Sequence, residues 1–205
     1  MIRMPNYTVS RIATVGAIGL LTTMLTAESA AAQSASDRPQ YPDACLRYIP
    51  EAEHYYRIPK DLLLAVAYTE SRLGSVPWPW TLNVAGRAIY ATDYWDASRL
   101  LADKRLMSEG NVDVGCMQIS LTWHGADFPN KEAALHPRNN VWYAAQMLYK
   151  LRRQEGNWTA AVALYHSHNG EKQRDYVCKV LQAHISLGYN TISPEARRYC
   201  SGLLS

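Results

Sequence analysis

The chain has 205 residues, of which 48% are apolar and 19% charged, with 21 Lys and Arg against 18 Asp and Glu. It is long enough for one hydrophobic core and too short for two large domains, and the composition excludes a disordered chain or a coiled coil. The small positive balance is spread out, with no basic run longer than Arg152-Arg153 or Arg197-Arg198, so nucleic acid is not the leading partner.

The first residues read as an address. Arg3 and Arg11 give a positive start, Ile12 to Leu25 an apolar stretch, and Ala30-Ala31-Ala32 before Gln33 the small-residue pattern of a cleaved signal peptide, residues 1–32. An uncleaved membrane anchor is the alternative, disfavoured because the stretch is shorter than the about 20 residues a spanning helix needs and is diluted by Thr22, Thr23 and Thr26. Export follows, and contact with a membrane only through that segment. Residues 33–43, rich in Ser, Ala, Pro and polar side chains, read as a flexible lead.

From there helical periodicity dominates. A first helix is expected from about Ala44 to Tyr56, capped by Asp43, with Pro50 either kinking it or marking its first turn. Pro59-Lys60-Asp61 opens a second, apolar almost all round through Leu62 to Ala67 and therefore buried, ending near Glu70. Gly74, Pro77, Pro79 and Gly86 break up the next stretch, where residues 80–90 hold one or two short strands or an extended loop lining a cleft. A helix then runs from about Tyr94 to Met107, and residues 111–125 read as a loop with an apolar centre. His136-Pro137 starts the longest amphipathic helix, with Val141, Ala144, Ala145, Leu148 and Leu151 on one face. Asn157 caps a short helix to about Tyr165, and a last long helix from about Glu171 ends at Gly188. The fold class expected is mainly α (α+β): one helical domain over residues 44–205 with a small strand and loop region beside a long cleft.

Four cysteines, Cys45, Cys116, Cys178 and Cys200, lie in a chain read as exported, where disulfides persist. Cys116, between Gly115 and Met117 in an apolar run, is expected to be a buried free thiol. One bridge among Cys45, Cys178 and Cys200 is then expected to tie the N-terminal helix to the C-terminal part. No spacing resembles a zinc site, the six histidines show no paired-ligand pattern beyond His166-Ser167-His168, which is read as non-metal ahead of a metal pair, and no cofactor is expected.

Chemistry concentrates in three places. Glu70, at the C-terminal end of a buried helix, meets desolvation and the negative end of the helix dipole, and both favour its protonated form, as a general acid requires. The second is Asp113-Val114-Gly115-Cys116-Met117-Gln118-Ile119. The third is Ala163-Leu164-Tyr165-His166-Ser167, followed by Arg174-Asp175-Tyr176. The aromatic content, 14 Tyr and 6 Trp against the single Phe128, favours rings with a polar handle, which suit a sugar-binding groove as well as a Tyr-rich core.

Read together, Ala67-Tyr68-Thr69-Glu70-Ser71-Arg72, Gly115-Cys116-Met117-Gln118-Ile119, Ala163-Leu164-Tyr165-His166-Ser167 and Tyr176 resemble, in order and spacing, the motifs of the soluble lytic transglycosylase catalytic domain. The resemblance covers residues 44–188. The segment Trp78 to Val84 is also similar to small exported transglycosylases, some of them associated with secretion machinery. Two departures stand out: Cys116 replaces the usual Leu, and His166-Ser167 replace Asn-Ala beside the cleft.

The resemblance implies a lysozyme-like fold and cleavage of the β-1,4 bond between N-acetylmuramic acid and N-acetylglucosamine in peptidoglycan, with a 1,6-anhydromuramoyl product. It implies Glu70 as the catalytic acid and then base, the substrate's N-acetyl group replacing a second carboxylate. Asp113 is read as a turn-forming residue ahead of a second catalytic carboxylate. Ser71, Met117, Gln118 and Tyr165 are the candidate substrate contacts. Tyr176 is expected to point its hydroxyl at Glu70, and Trp80 and Asn83 to extend the groove. The implied partners are peptidoglycan glycan strands and an envelope-spanning secretion, pilus or flagellar machine, and the implied location is the periplasm. The alternatives are a goose-type-lysozyme-like hydrolase and a non-catalytic wall-binding or assembly protein.

Overall fold

The computed structural model describes residues 41–188 and 194–201; the signal segment 1–32 and nearly all of the expected lead lie outside the described residues. The chain is mainly helical with small antiparallel sheets, as the helical periodicity leads one to expect. Helix α1 (Ala44–Tyr56) has Pro50 in its interior, where the missing N–H forgoes the bond to the Leu46 carbonyl. Asp43 precedes α1 without a side-chain cap, contrary to expectation. The chain leaves α1 through Arg57 in the left-handed region and re-enters helix at α2 (Leu62–Ser71) after a second left-handed residue, Asp61.

The cap of α2 comes from α1. The buried Glu53 carboxylate accepts from Asp61 N at 2.9 Å and Leu63 N at 2.8 Å, satisfying donors that a helix start leaves open. Burial pushes the Glu53 carboxyl up to about 7 against those same bonds, which favour the ionised form.

A hairpin of β1 (Arg72–Leu73) and β2 (Val76–Pro77) follows α2. Then comes β3 (Thr81–Val84), paired with β4 (Arg87–Tyr90) on one side and with β5 (Val112–Val114) on the other; β5 also pairs with β6 (Ile119–Ser120), giving the order β4-β3-β5-β6. The helix expected over Tyr94 to Met107 is two, α3 (Tyr94–Ala102) and α4 (Lys104–Met107), because the Asp103 side chain turns aside to accept from Arg105 N and Leu106 N and starts a new helix. The stretch read as a loop at residues 111–125 holds β5, β6, α5 (Leu121–His124) and the start of a 3-10 turn, Gly125–Asp127.

Helix α6 (Lys131–Leu135) leads into α7 (Pro137–Glu155), with Pro137 in its first turn and Gly156 in the left-handed region after it. Helix α8 (Trp158–His166) is capped by Asn157, whose side chain accepts from Ala160 N, and α9 (Gly170–Ser186) by Asn169. A short α10 (Pro194–Tyr199) closes the described chain.

Helix α7 packs against α1, α6 and α8, while α9 packs against α2 and α8. Helices α1, α2, α7, α8 and α9 share one buried cluster with Cys116 and Met117 of the turn after β5; a second cluster joins the sheet to α3, α4 and α6, and Phe128 packs against both. Among the described residues no helix is long and apolar enough to cross a membrane.

The cysteine expectation is overturned. Cys116 is not free but bonded to Cys45, and Cys178 is bonded to Cys200. The first bridge ties α1 to the turn after β5, and the second ties α9 to the residue that follows α10.

Candidate functional site

The turn from Gly115 to Gln118, which Ser71 next to Glu70 contacts, is heavily anchored. Gly115 has φ +78°, and a Cβ there would lie 2.5 Å from the Asn140 side chain, so both the conformation and the space require glycine. Asn140 is fully buried on α7. Its Nδ2 donates to Val114 O and Ala134 O, both at 2.9 Å, and its Oδ1 accepts from Met117 N at 2.8 Å. Gly115 N donates to Thr81 O of β3 at 2.8 Å, Ser71 Oγ on α2 donates to Cys116 O at 2.8 Å, and Tyr165 Oη on α8 donates to Met117 O at 2.7 Å. With the disulfide to α1, five elements fix four residues.

That use of hydrogen bonds corrects two expected substrate contacts. Ser71 is 1% exposed and Met117 not at all, so both side chains lie behind the surface, one tying α2 to the turn and the other filling the core. Trp80, expected to extend the groove, is buried edge-on against Tyr94 in the second cluster.

Glu70, Asn83, Gln118 and Tyr165 do line one open groove of about 840 Å³. Gln118, itself left-handed at φ +46°, donates through Nε2 to Gly115 O at 2.8 Å and Thr81 O at 3.3 Å. Two carbonyl partners fix the amide orientation and leave Oε1 as the atom that can accept from a ligand.

Asp113 also lines the groove, and it is not a turn residue. It lies on β5 opposite Asn83 of β3 and Ser120 of β6. Residues directly opposite in an antiparallel sheet share a face, so Asn83, Asp113 and Ser120 form a polar row along the groove, while Leu82, Val84, Val112, Val114 and Ile119 point into the core. Desolvation raises the Asp113 carboxyl above the usual carboxylate range, and the Ser120 hydroxyl opposes it.

Glu70 is the penultimate residue of α2. Desolvation raises its carboxyl to about 7, with a smaller push from the Asp113 charge, while the Tyr176 hydroxyl, donating to Oε1 at 2.5 Å, lowers it. Tyr176, on α9 and 4% exposed, is thus a positioning residue rather than part of the groove surface. The ring of His166 stacks flat on Tyr176, centroids 4.3 Å apart and planes 3° apart, and covers the phenol from the groove side. His166 is held below its usual pKa by partial burial, with Lys179 and Lys172 adding to the effect.

Glu70 also borders a second, shallower depression with Arg72, Tyr90 and Lys179. The carboxyl therefore stands where two depressions meet. A group that holds a proton near neutral pH, is anchored on one oxygen and borders open surface on two sides can give a proton to a bound ligand and take one back.

Several residues of the site were not picked out by the motifs: Asn140, the Asp113 row as a strand face, and Trp123, His124 and Tyr143 on the groove wall. Asn140 carried a signal, since it falls on the same stripe of α7 as Ala144 and Leu148 and is the polar interruption of an apolar face. Among the described residues no group of His, Cys, Asp and Glu side chains could hold a metal ion.

Comparison with known proteins gives no match: no family model, no curated protein and no solved structure is similar to the chain.

Proposed function

We propose that the chain is an exported glycan-cleaving enzyme, a peptidoglycan lytic transglycosylase acting between N-acetylmuramic acid and N-acetylglucosamine. The observation that carries this reading is Glu70: a carboxyl raised to about 7, held through one oxygen by Tyr176, at the junction of two depressions. A polymer crossing that junction presents a bond to the acid with sugar units on either side. The motif resemblance supports the same assignment independently of the geometry.

In this reading Glu70 protonates the glycosidic oxygen as the C1–O4 bond breaks. The resulting carboxylate takes the proton from the C6 hydroxyl as that oxygen bonds to C1. The 1,6-anhydro end forms, Glu70 returns to its protonated state, and no water is consumed. A pKa close to neutral suits a group that must do both. Gln118 Oε1 and the Asn83 row supply acceptors for acetamido and hydroxyl hydrogens.

A second reading rests on Asp113. It lies in the same groove and close enough to Glu70 to raise its pKa, so a hydrolase in which Asp113 activates water is the alternative. Digestion of purified peptidoglycan followed by mass spectrometry separates the two. Anhydro products one water lighter, absent with Glu70→Gln, support the transglycosylase; reducing ends move the chain to the hydrolases. No product from either folded protein would leave a wall-binding protein and sink both readings.

The expected place of action is the periplasm, with glycan strands as substrate and an envelope-spanning secretion, pilus or flagellar machine as the partner that localises it.

A further inference from the structure

At one wall of the groove Tyr143 joins two other side chains. Its hydroxyl lies 2.9 Å from His124 Nδ1 and 2.5 Å from Asp127 Oδ2. A phenol has one proton, and a carboxylate can only accept, so Tyr143 donates to Asp127 and must accept from His124. That arrangement fixes the His124 tautomer with its proton on Nδ1. It leaves the lone pair of Nε2, on the opposite edge of the ring, for a donor in the groove, which His124 lines. Partial burial holds His124 below its usual pKa, with the Asp127 charge opposing.

Beside it stands Trp123, 76% exposed, on the same groove wall. Its flat face, open to the groove, matches the apolar face of a sugar ring. Tyr143, only 8% exposed, and Phe128, whose ring centroid is 4.8 Å away, hold the cluster from behind.

We propose that Trp123 and His124 form a sugar-binding subsite apart from Glu70, in which the indole stacks on an N-acetylated amino-sugar ring and His124 Nε2 accepts one of its hydroxyl or acetamido hydrogens. The proposal rests on the glycan reading above and adds a recognition site to it. Asp127 and Tyr143 act as positioning residues that hold the His124 proton on the edge away from the sugar.

The test uses the protein with both disulfides formed and a hexamer of N-acetylglucosamine, with binding followed by calorimetry. Trp123→Ala is expected to weaken binding about tenfold or more, as the loss of one stacked ring does. Trp95→Ala, an exposed Trp outside the groove, is expected to bind as the parent does. Nitrogen-15 spectra of the parent should show His124 neutral and protonated on Nδ1, and Tyr143→Phe should shift it toward the Nε2–H form and weaken binding several-fold. A parent that binds the hexamer while Trp123→Ala binds it equally well overturns the subsite and spares the glycan reading. A parent that does not bind the hexamer also overturns the subsite, while the glycan reading stands or falls on the peptidoglycan digestion, and an Nε2–H tautomer in the parent overturns the role given to His124.

Discussion

Two substitutions should move the Glu70 titration in opposite directions. Tyr176→Phe keeps the ring that packs under His166 and removes only the hydroxyl that donates to Glu70 Oε1. That bond stabilises the ionised carboxyl, so its loss favours the protonated form. A hydrogen bond to a charged group contributes roughly 1.5–3 kcal/mol, and 1.36 kcal/mol corresponds to one pH unit, so the midpoint should rise by about one to two pH units from its value of about 7. Asp113→Asn removes a like charge and should lower the midpoint by a smaller amount, since that charge is the least of the three influences on Glu70. Carbon-13 titration of the Glu70 carboxyl reads both shifts without reference to activity. In the pH profile of kcat/KM, the alkaline limb, where the acid is lost, should follow the same two directions. Because Tyr176 also aims the carboxyl, Tyr176→Phe should lower kcat on the order of 10- to 100-fold even where Glu70 is fully protonated. A titration unmoved by Tyr176→Phe, or moved downward, refutes the account of why Glu70 is an acid.

Gly115→Ala sets a side chain at φ +78° and 2.5 Å from Asn140, and should destabilise the fold by about 3 kcal/mol in urea denaturation; a loss below about 1 kcal/mol would show that the turn can shift. Removing Cys45–Cys116, which closes a separation of 71 residues, should destabilise by about 4 kcal/mol as Cys45→Ala/Cys116→Ala, against about 3 kcal/mol for Cys178→Ala/Cys200→Ala, whose separation is 22. The first pair should also lose most of the cleavage activity because the Gly115–Gln118 turn loosens, whereas the second should keep it; equal activity in the two would detach the bridge from the site.

The elements that were legible have their determinants nearby. Helix α7 announces itself through Pro137 in its first turn and an apolar stripe, and α8 through Asn157 at its cap. What failed was either very short or long-range. Three-residue β5 offers one alternation, Val112-Asp113-Val114, too brief to outweigh the Gly that follows, so Asp113 read as a turn residue. The break at Asp103 was a local signal, an Asp able to cap, hidden inside an otherwise helical pattern. The cysteine pairing depends on the turn after β5 lying against α1, which no spacing encodes; an apolar neighbourhood around Cys116 suits a buried bridge as well as a buried thiol. The Tyr176–Glu70 bond spans 106 residues, and only the motif resemblance named it in advance.

The division of labour within the motifs follows from hydrogen-bond accounting. A turn with Gly115 and Gln118 both at positive φ must have its backbone groups satisfied by neighbours, and Ser71, Asn140 and Tyr165 each spend a hydrogen-bonding group on it. Ser71, which anchors the turn from a buried position, has nothing left to offer a ligand, and the Met117 side chain is buried in the core away from the groove. In the proposed enzyme these segments would build and aim Glu70, and discrimination among glycans would fall to groove-wall side chains with open edges: Gln118 Oε1, His124 Nε2, Trp123 and His166. Two of those, Trp123 and His124, lie outside the motifs, and a third, His166, stands where the motif has Asn. Sugar preference should therefore change through substitutions at these positions while the chemistry at Glu70 stays the same.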